Sequence, residues 1–213
     1  MTQKLLKGFQ KFREREYEGA HASMPRLSLE GQNPRYFIIS CIDSRTNPGV
    51  IFSAEPGSFF AHKAMGAIIR PYKRGTALAA ALQFALEHNK VEEIIILGHT
   101  GCSAIRALIN GINDKDISGF LDVAQRGVAN AKRKWISEEL PLNLHRHAEE
   151  QIVLLSAENI TTYPSVAKAL KEKRIQITPW LFDMDEGKIL SYNPNSEEFE
   201  PIEMPSEDKE NLE

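Results

Sequence analysis

Two runs of apolar residues that lack polar residues at alternate positions constrain the fold of this chain most. They are "YFIIS", residues 36–40, and "EEIIILGH", residues 92–99. A strand that is apolar on both faces is typical of a parallel sheet that helices cover on both sides. Between the two runs, "GTALAAALQFALEHN" places Leu78, Leu82 and Leu86 at helical spacing. We therefore predict an α/β fold with a central, mostly parallel β-sheet flanked by helices.

The remaining segments fit one domain. "EPGSFFAH" predicts a turn and a second short strand, and "IQITPWLFDMDEGKILSY" predicts a hairpin around Asp185–Gly187. Helices are predicted for "SAIRALING", for 119–160 apart from a break near Pro141, and for "PSVAKALKEKR". A length of 213 residues with 42% apolar content can bury one sizeable core. We expect a single domain over residues 1–195.

Both ends of the chain differ from this domain. Leu5, Leu6, Phe9 and Phe12 recur every three to four residues, so residues 1–20 are predicted to form an amphipathic helical arm that packs outside the main core or on a partner subunit. Residues 196–213 are acidic and contain prolines. Such a composition cannot bury much apolar surface, so we predict a largely disordered tail.

Charge and hydropathy exclude two classes of partner. The formal net charge of −3 gives no basic surface for nucleic acid. No apolar stretch approaches the roughly 20 residues that span a bilayer, and the N-terminus lacks the apolar segment of a signal peptide. We therefore expect a cytoplasmic protein that binds neither nucleic acid nor membrane. Its two cysteines are more typical of ligands, a catalytic pair or inert core residues than of a disulfide framework.

Potential metal ligands follow two of the predicted strands. Cys41 follows the first, and "HTGC" places His99 and Cys102 after the third. Because functional side chains in parallel sheets lie just past the carboxyl ends of strands, the three converge if the strands are neighbours. Two thiolates and one imidazole form the ligand set of a catalytic zinc ion with one position open. Taken singly, a cysteine ending a strand is usually a small hydrophobic residue, and His-x-x-Cys is a weak pattern.

Asp43 and Arg45 follow Cys41 at alternate positions, and two interpretations are open. In the first, Asp43 serves only as a turn or N-cap residue, with Arg45 as a surface ion-pair partner worth about 1 kcal/mol or less. Beside a metal ion, the Asp43 carboxylate could instead take the open coordination position or accept a hydrogen bond from the nucleophile. Arg45 would then decide between these roles by holding Asp43 in a bidentate pair.

"CIDSR" followed by "GHTGC" resembles the Cys-x-Asp-x-Arg and His-x-x-Cys signature of the β-class carbonic anhydrases. The similarity continues in family order through "PGSFFAHKAMGAII", "ALQFALEHNKVEEIIILGHTGC", "TYPSVAKAL" and "WLFDMDEGKI", and it covers the chain from about Gln32 to Tyr192. The resemblance implies one zinc ion per chain, bound by Cys41, His99 and Cys102. It also implies a homodimer or tetramer with the active site near the subunit interface.

By the same resemblance, the chain would hydrate CO2 to bicarbonate through zinc-bound hydroxide. Asp43 and Arg45 would be catalytic, with Asp43 as a possible fourth zinc ligand in a closed state. Gln32 matches a glutamine that hydrogen-bonds substrate, Phe60 matches an aromatic wall of the substrate pocket, and Phe84 stands where that pocket has a tyrosine.

The chain departs from the family pattern around the expected pocket. Lys63-Ala64 stands where Arg-Asn is usual, and Ser103-Ala104 replaces a glycine pair. Two alternatives therefore stay open: a relative that hydrolyses carbonyl sulfide or carbon disulfide on the same zinc, and a catalytically silent zinc-binding scaffold closed permanently by Asp43. His62 is a candidate for proton export, although a packing role is more usual. The "HRH" at 145–147 is interpreted as solvated helix surface without a metal.

Overall fold

The computed structural model describes residues 2–137 and 143–204, and within these ranges six strands form one sheet. The strands are β1 (Tyr36–Cys41), β2 (Phe59–Ala64), β3 (Glu93–His99), β4 (Gln176–Asp183), β5 (Lys188–Asn193) and β6 (Glu198–Pro201). Their order is β2-β1-β3-β4-β5-β6. The first four pair in parallel, whereas β5 and β6 add antiparallel. The predicted α/β class and its mostly parallel sheet are confirmed.

Helices connect and cover the strands. The α-helices in the described ranges are α1 (Gln3–Arg13), α2 (Met24–Glu30), α3 (Pro48–Ile51), α4 (Ala77–Gln83), α5 (Ser103–Asn110), α6 (Lys115–Leu121), α7 (Gln125–Ser137), α8 (Leu144–Ile160) and α9 (Pro164–Lys171). A π-helical turn extends α1 over Glu14–Glu18, and another extends α4 over Phe84–His88. The predicted break near Pro141 lies outside the described residues. None of the described helices is both long and apolar enough to cross a membrane.

The central strands are buried on both faces, as their continuous apolar sequences predict. On β1, Phe37 and Ile39 belong to the larger core, which also takes in Ile94 and Ile96 of β3. The intervening residues point to the opposite face because side chains alternate along a strand. There, Ile38, Ile95 and Leu97 form a second buried cluster. Helix α8 contacts both β3 and β4 and contributes Ile152, Val153 and Ile160 to the buried core.

The strand register brings the ends of β1 and β3 together. Ser40 pairs with Leu97, so Cys41 on one strand and His99 on the other lie at the same edge of the sheet. Gly98, between Leu97 and His99, lies so close to α8 that a Cβ atom there would be 2.3 Å from Cγ2 of Val153. The site at this edge therefore depends on close packing between α8 and β3.

The N-terminal arm is helical, as predicted, and α1 has no buried residue. Its apolar side chains Leu5, Leu6 and Phe9 are between 58% and 74% exposed, so the described part of the chain leaves most of the apolar face of α1 uncovered. Its packing on a partner subunit stays a prediction.

The prediction of disorder from residue 196 onward is wrong for part of the tail. Glu198–Pro201 forms β6, which pairs with β5, and the rings of Phe199 and Tyr192 lie 5.5 Å apart between centroids. The physical reason is that the edge of β5 offers backbone hydrogen bonds and an aromatic neighbour, which a compositional argument does not register. Residues 205–213 lie outside the described residues. The extent of the single domain stays a prediction.

Candidate metal centre

Three side chains that are far apart in sequence meet at the carboxyl edge of the sheet. The two Sγ atoms of Cys41 and Cys102 and a ring nitrogen of His99 all lie within 4.8 Å of one another. All three residues are at least 97% buried, and both cysteines are free thiols. Ligand atoms around a tetrahedral zinc ion are about 3.5–3.8 Å apart, as follows from bond lengths of about 2.0–2.3 Å. The predicted convergence is therefore confirmed.

The imidazole of His99 is in the tautomer that a metal ligand requires. Its Nδ1 lies 2.9 Å from the carbonyl oxygen of Thr100, which can only accept a hydrogen bond. Nδ1 therefore carries the proton, and Nε2 presents a lone pair. Nε2 is buried and has no hydrogen-bond partner among the residues that the structure describes. A buried nitrogen lone pair without a donor is costly unless a cation binds it.

Backbone groups and the second thiol stabilise charge on Cys41. The backbone N–H groups of Gly66 and Asp43 donate to its Sγ at 3.2 and 3.5 Å. The pKa of Cys41 is lowered, chiefly because the Cys102 thiol donates a hydrogen bond to it, while the same contact raises the pKa of Cys102. Without a metal ion the pair thus favours one thiolate. A divalent cation would offset the repulsion between two thiolates and so allow both cysteines to ionise.

Asp43 and Arg45 form the bidentate pair considered above. Arg45 donates from Nε to Oδ1 of Asp43 at 3.0 Å and from its terminal nitrogen to Oδ2 at 2.8 Å, and its backbone N–H also binds Oδ1. These hydrogen bonds hold the pKa of Asp43 well below its usual range. The Asp43 side chain is 18% exposed and that of Arg45 is 60% exposed. The carboxylate is therefore ionised and fixed in orientation at the rim of the cluster.

The turn that carries Asp43 is braced from two sides. The buried Thr46 hydroxyl donates to the carbonyl oxygens of Cys41 and Asp43 at 3.1 and 3.0 Å. Lys63 donates from Nζ to the carbonyl oxygen of Thr46 at 2.9 Å. The lysine that replaces the usual arginine thus contacts the turn itself. Ala104 is buried in the first turn of α5, directly after Cys102 and Ser103.

The expected substrate residues do not lie beside the metal ligands of the same chain. Phe60 pairs with Phe37 near the amino end of β1, whereas Cys41 pairs with Ala64, four residues further along β2. That separation is about 13 Å at the usual rise per residue. Phe84 contacts Phe60 with ring centroids 6.0 Å apart and is 52% exposed. Gln32 is exposed and precedes β1, so it also lies toward the amino end of that strand.

Two residues of α8 contact Cys102, and the sequence interpretation missed both. Oε1 of Glu149 accepts a hydrogen bond from the backbone N–H of Cys102 at 2.8 Å. Nε2 of His145 lies 3.1 Å from the carbonyl oxygen of Cys102. The prediction that the "HRH" segment is solvated surface is wrong, because the side chains of His145 and His147 are only 22% and 20% exposed. His147 lies 3.6 Å from a carboxylate oxygen of Glu150 and does not contact the cluster.

His62 lies on β2 opposite Ile39 and is half-buried, and burial lowers the pKa of its imidazole. A lowered pKa favours the neutral form at neutral pH, which suits packing at least as well as proton transfer. Its role in proton export stays a prediction.

Comparison with known sequences points to one family. A family model described as carbonic anhydrase matches residues 36–189. A carbonic anhydrase of Synechocystis is 30% identical over 199 residues, which cover 90% of this chain and 71% of that protein. A carbonic anhydrase of Helicobacter pylori is 29% identical and is matched over 92% of both chains.

Solved structures agree with the sequence comparison. The β-carbonic anhydrase CcaA superposes with a TM-score of 0.82 at 28% identity, covering 95% of this chain and 92% of the other. One of the tetrameric β-carbonic anhydrases of Sordaria macrospora superposes with a TM-score of 0.79 at 21% identity, covering 89% and 95%. The second likeness concerns the fold alone.

Proposed function

Because the chain belongs to the β-carbonic anhydrase family, we propose that it catalyses the zinc-dependent, reversible hydration of CO2 to bicarbonate and a proton. The observation that carries this proposal is the buried Cys41–His99–Cys102 cluster with its unpartnered Nε2 lone pair. Two soft sulfurs and one imidazole nitrogen suit zinc, and three protein ligands leave one position open for chemistry.

The residues present fit the ion, and a bound zinc ion supplies the Lewis acidity that allows water to ionise near neutral pH. The protein's own contribution is orientation. Asp43, kept ionised by Arg45, can only accept hydrogen bonds. We propose that it accepts one from the oxygen nucleophile and turns a lone pair toward the CO2 carbon.

Arg45 also bears on the closed state expected from the sequence. If Asp43 acted as a fourth zinc ligand, the ion would compete with the Arg45 side chain for the same two carboxylate oxygens. The pair thus favours the open site, and loss of Arg45 should favour closure. A site closed permanently, as in the silent scaffold, would require this pair to be weak.

We further propose that a second copy of the chain completes the substrate pocket, as part of a homodimer or tetramer. Gln32, Phe60 and Phe84 lie toward the amino ends of the strands, far from their own chain's metal ligands, and two of the three are exposed. A two-fold axis can bring one copy's residues to the other copy's site. The Sordaria macrospora relatives are tetrameric, which supports an assembly of this kind.

Zinc content and turnover test the chemistry together. We expect one zinc ion per chain and CO2 hydration, followed by stopped flow, that a chelator abolishes and added zinc restores. Cys41→Ser should lose both, whereas Glu158→Gln, which alters a surface ion pair of α8 with Arg126, should keep both. Zinc-independent or absent hydration at about pH 8.5 would reject the proposal. Sulfide release from carbonyl sulfide exceeding CO2 turnover would favour the alternative hydrolase, which the comparisons do not support.

Subunit complementation tests the shared pocket. Cys41→Ser and Gln32→Ala chains should each be nearly inactive alone. When they are unfolded together and reassembled as mixed dimers, one site in each heterodimer combines an intact metal cluster with an intact Gln32. Random pairing then restores about a quarter of the wild-type sites. No recovery, with heterodimers demonstrated by mass, would show that each chain builds its pocket alone.

A further inference from the structure

Both backbone polar groups of Cys102 are held by side chains from a single turn of α8. Glu149 accepts the N–H of Cys102 at 2.8 Å, and Nε2 of His145 lies 3.1 Å from its carbonyl oxygen. Nε2 of His145 also lies 3.3 Å from Oε1 of Glu149. Glu149 is 1% exposed, so this contact is shielded from water.

Because of where Cys102 lies in the chain, these two contacts hold in place the loop that carries its sulfur. Cys102 follows Gly101, which has a φ of +68°, and it forms the N-cap of α5. Its N–H precedes the helix and takes no part in the helical ladder, so an outside acceptor is needed. A buried N–H that loses its acceptor is destabilising, so the loop would have to move to find another. Any such movement carries the sulfur with it.

Glu149 contributes an acceptor oxygen to this loop, and the contact does not depend on its charge. Burial raises the pKa of its carboxyl to about 7. A neutral amide oxygen could accept the same hydrogen bond from the N–H of Cys102. Groups that hold a metal-ligand residue in this way orient the ligand from outside the coordination shell.

We infer that Glu149 and His145 are positioning residues that fix the sulfur of Cys102 in the metal site and thereby set how tightly the ion is held. Neither side chain is among the three that form the cluster; both act through the backbone of Cys102. The inference rests on the zinc site proposed above but not on CO2 turnover.

Zinc release measures this role directly. Zinc-loaded protein is mixed with a chromophoric chelator, and the rate of release is followed for Glu149→Ala, Glu149→Gln and His145→Ala. We expect Glu149→Ala to release zinc at least 10-fold faster, because loss of a group that supports a metal ligand typically weakens metal affinity 10–100-fold. Glu149→Gln keeps an acceptor oxygen and should stay within about threefold of wild type. His145→Ala should fall between the two, and it keeps the test usable if Glu149→Ala does not fold.

A spectroscopic measurement distinguishes positioning of the Cys102 sulfur from a general stabilisation of the fold. In the cobalt-substituted protein, the thiolate-to-metal absorption should shift or weaken in Glu149→Ala and recover in Glu149→Gln. Glu158→Gln, on the same helix but in an exposed pair, should match wild type in both assays. If Glu149→Ala and His145→Ala lower the unfolding midpoint but leave zinc release and the cobalt spectrum unchanged, the inference is overturned. A chain that shows these effects yet hydrates no CO2 would overturn the proposed function alone.

Discussion

Replacement of Gly98 by alanine tests the packing on which the metal site depends. The added Cβ would lie 2.3 Å from Cγ2 of Val153 and 3.2 Å from Cδ1 of Leu181. Carbon atoms in contact are ordinarily about 3.5–4.0 Å apart, so α8 and β3 would have to separate by roughly 1 Å. Val153 cannot turn away, because it is 1% exposed and a valine in a helix has one strongly preferred rotamer.

The expected cost of Gly98→Ala is about 3 kcal/mol, at the upper end for overpacked cores. It corresponds to a fall of roughly 6–12 °C in the unfolding midpoint for a chain of this size. Because Gly98 precedes His99, zinc should also be released faster. The assay is urea unfolding at one fixed concentration of protein and zinc, since binding and assembly both shift apparent stability.

A double-mutant cycle identifies the contact responsible. Val153→Ala removes the atom that the new Cβ would meet, so the combined variant should be more stable than the sum of the single effects predicts, by about 2 kcal/mol. Gly119→Ala is the control. Gly119 lies in α6, and no atom of the described residues lies within 4 Å of the added Cβ, so the substitution should stabilise by up to about 1 kcal/mol. Strict additivity, or a cost below about 0.5 kcal/mol for Gly98→Ala, would refute the close approach of α8.

Three further outcomes follow from the site. Asp43→Asn should flatten the rise of CO2 hydration above neutral pH in a stopped-flow profile; an unchanged profile would remove Asp43 from control of the site. In zinc-free protein between about pH 4.5 and pH 7, the folded state holds a proton on Glu149 that the unfolded state has released, because burial raises the pKa of this carboxyl to about 7. The contribution of Glu149 to the free energy of unfolding is therefore fully present below about pH 4.5 and is lost as the pH rises through about 7. Glu149→Gln should remove this loss, which amounts to about 3 kcal/mol. Urea unfolding of both proteins at pH 4.5 and at pH 8 measures it: wild type should lose more stability between the two pH values than the variant, and an equal loss in both would contradict the prediction. Chelation of zinc should lower the unfolding midpoint of wild type, with full recovery on adding zinc in excess, but should leave Cys41→Ser unchanged.

The metal ligands could be predicted from sequence because their positions depend on local signals. Continuous apolar runs identified β1 and β3, and each ligand lies at or just after the end of one of them. Once two parallel strands are neighbours, their ends meet at one edge of the sheet whatever else the fold does. Only the pairing of β1 with β3 had to be assumed, and the register supports it.

Glu149 was missed because the amino-acid sequence alone does not distinguish a buried glutamate from a solvent-exposed one. The signal that could have revealed it is its place on α8, where Ile152, Val153 and Ser156 follow at helical spacing and are all buried. A charged residue in such a stripe needs a partner, since charges are almost never buried unpaired. His145 lies one turn earlier, and only the packing of α8 against the loop before α5 shows what it contacts.

The substrate pocket marks the limit of any prediction made for a single chain. Resemblance assigned Gln32, Phe60 and Phe84 to the same site as Cys41, yet the parallel register separates Phe60 from the metal edge by the length of β2. Both statements are compatible if the site spans two copies, as proposed above, because Phe60 lies about 13 Å along the strand from the metal edge of its own chain. The exposed apolar face of α1 supports the same conclusion, since an amphipathic helix gains little stability until its apolar face is buried. The fold of one chain therefore supplies the metal cluster, and we propose that a second copy supplies the substrate residues.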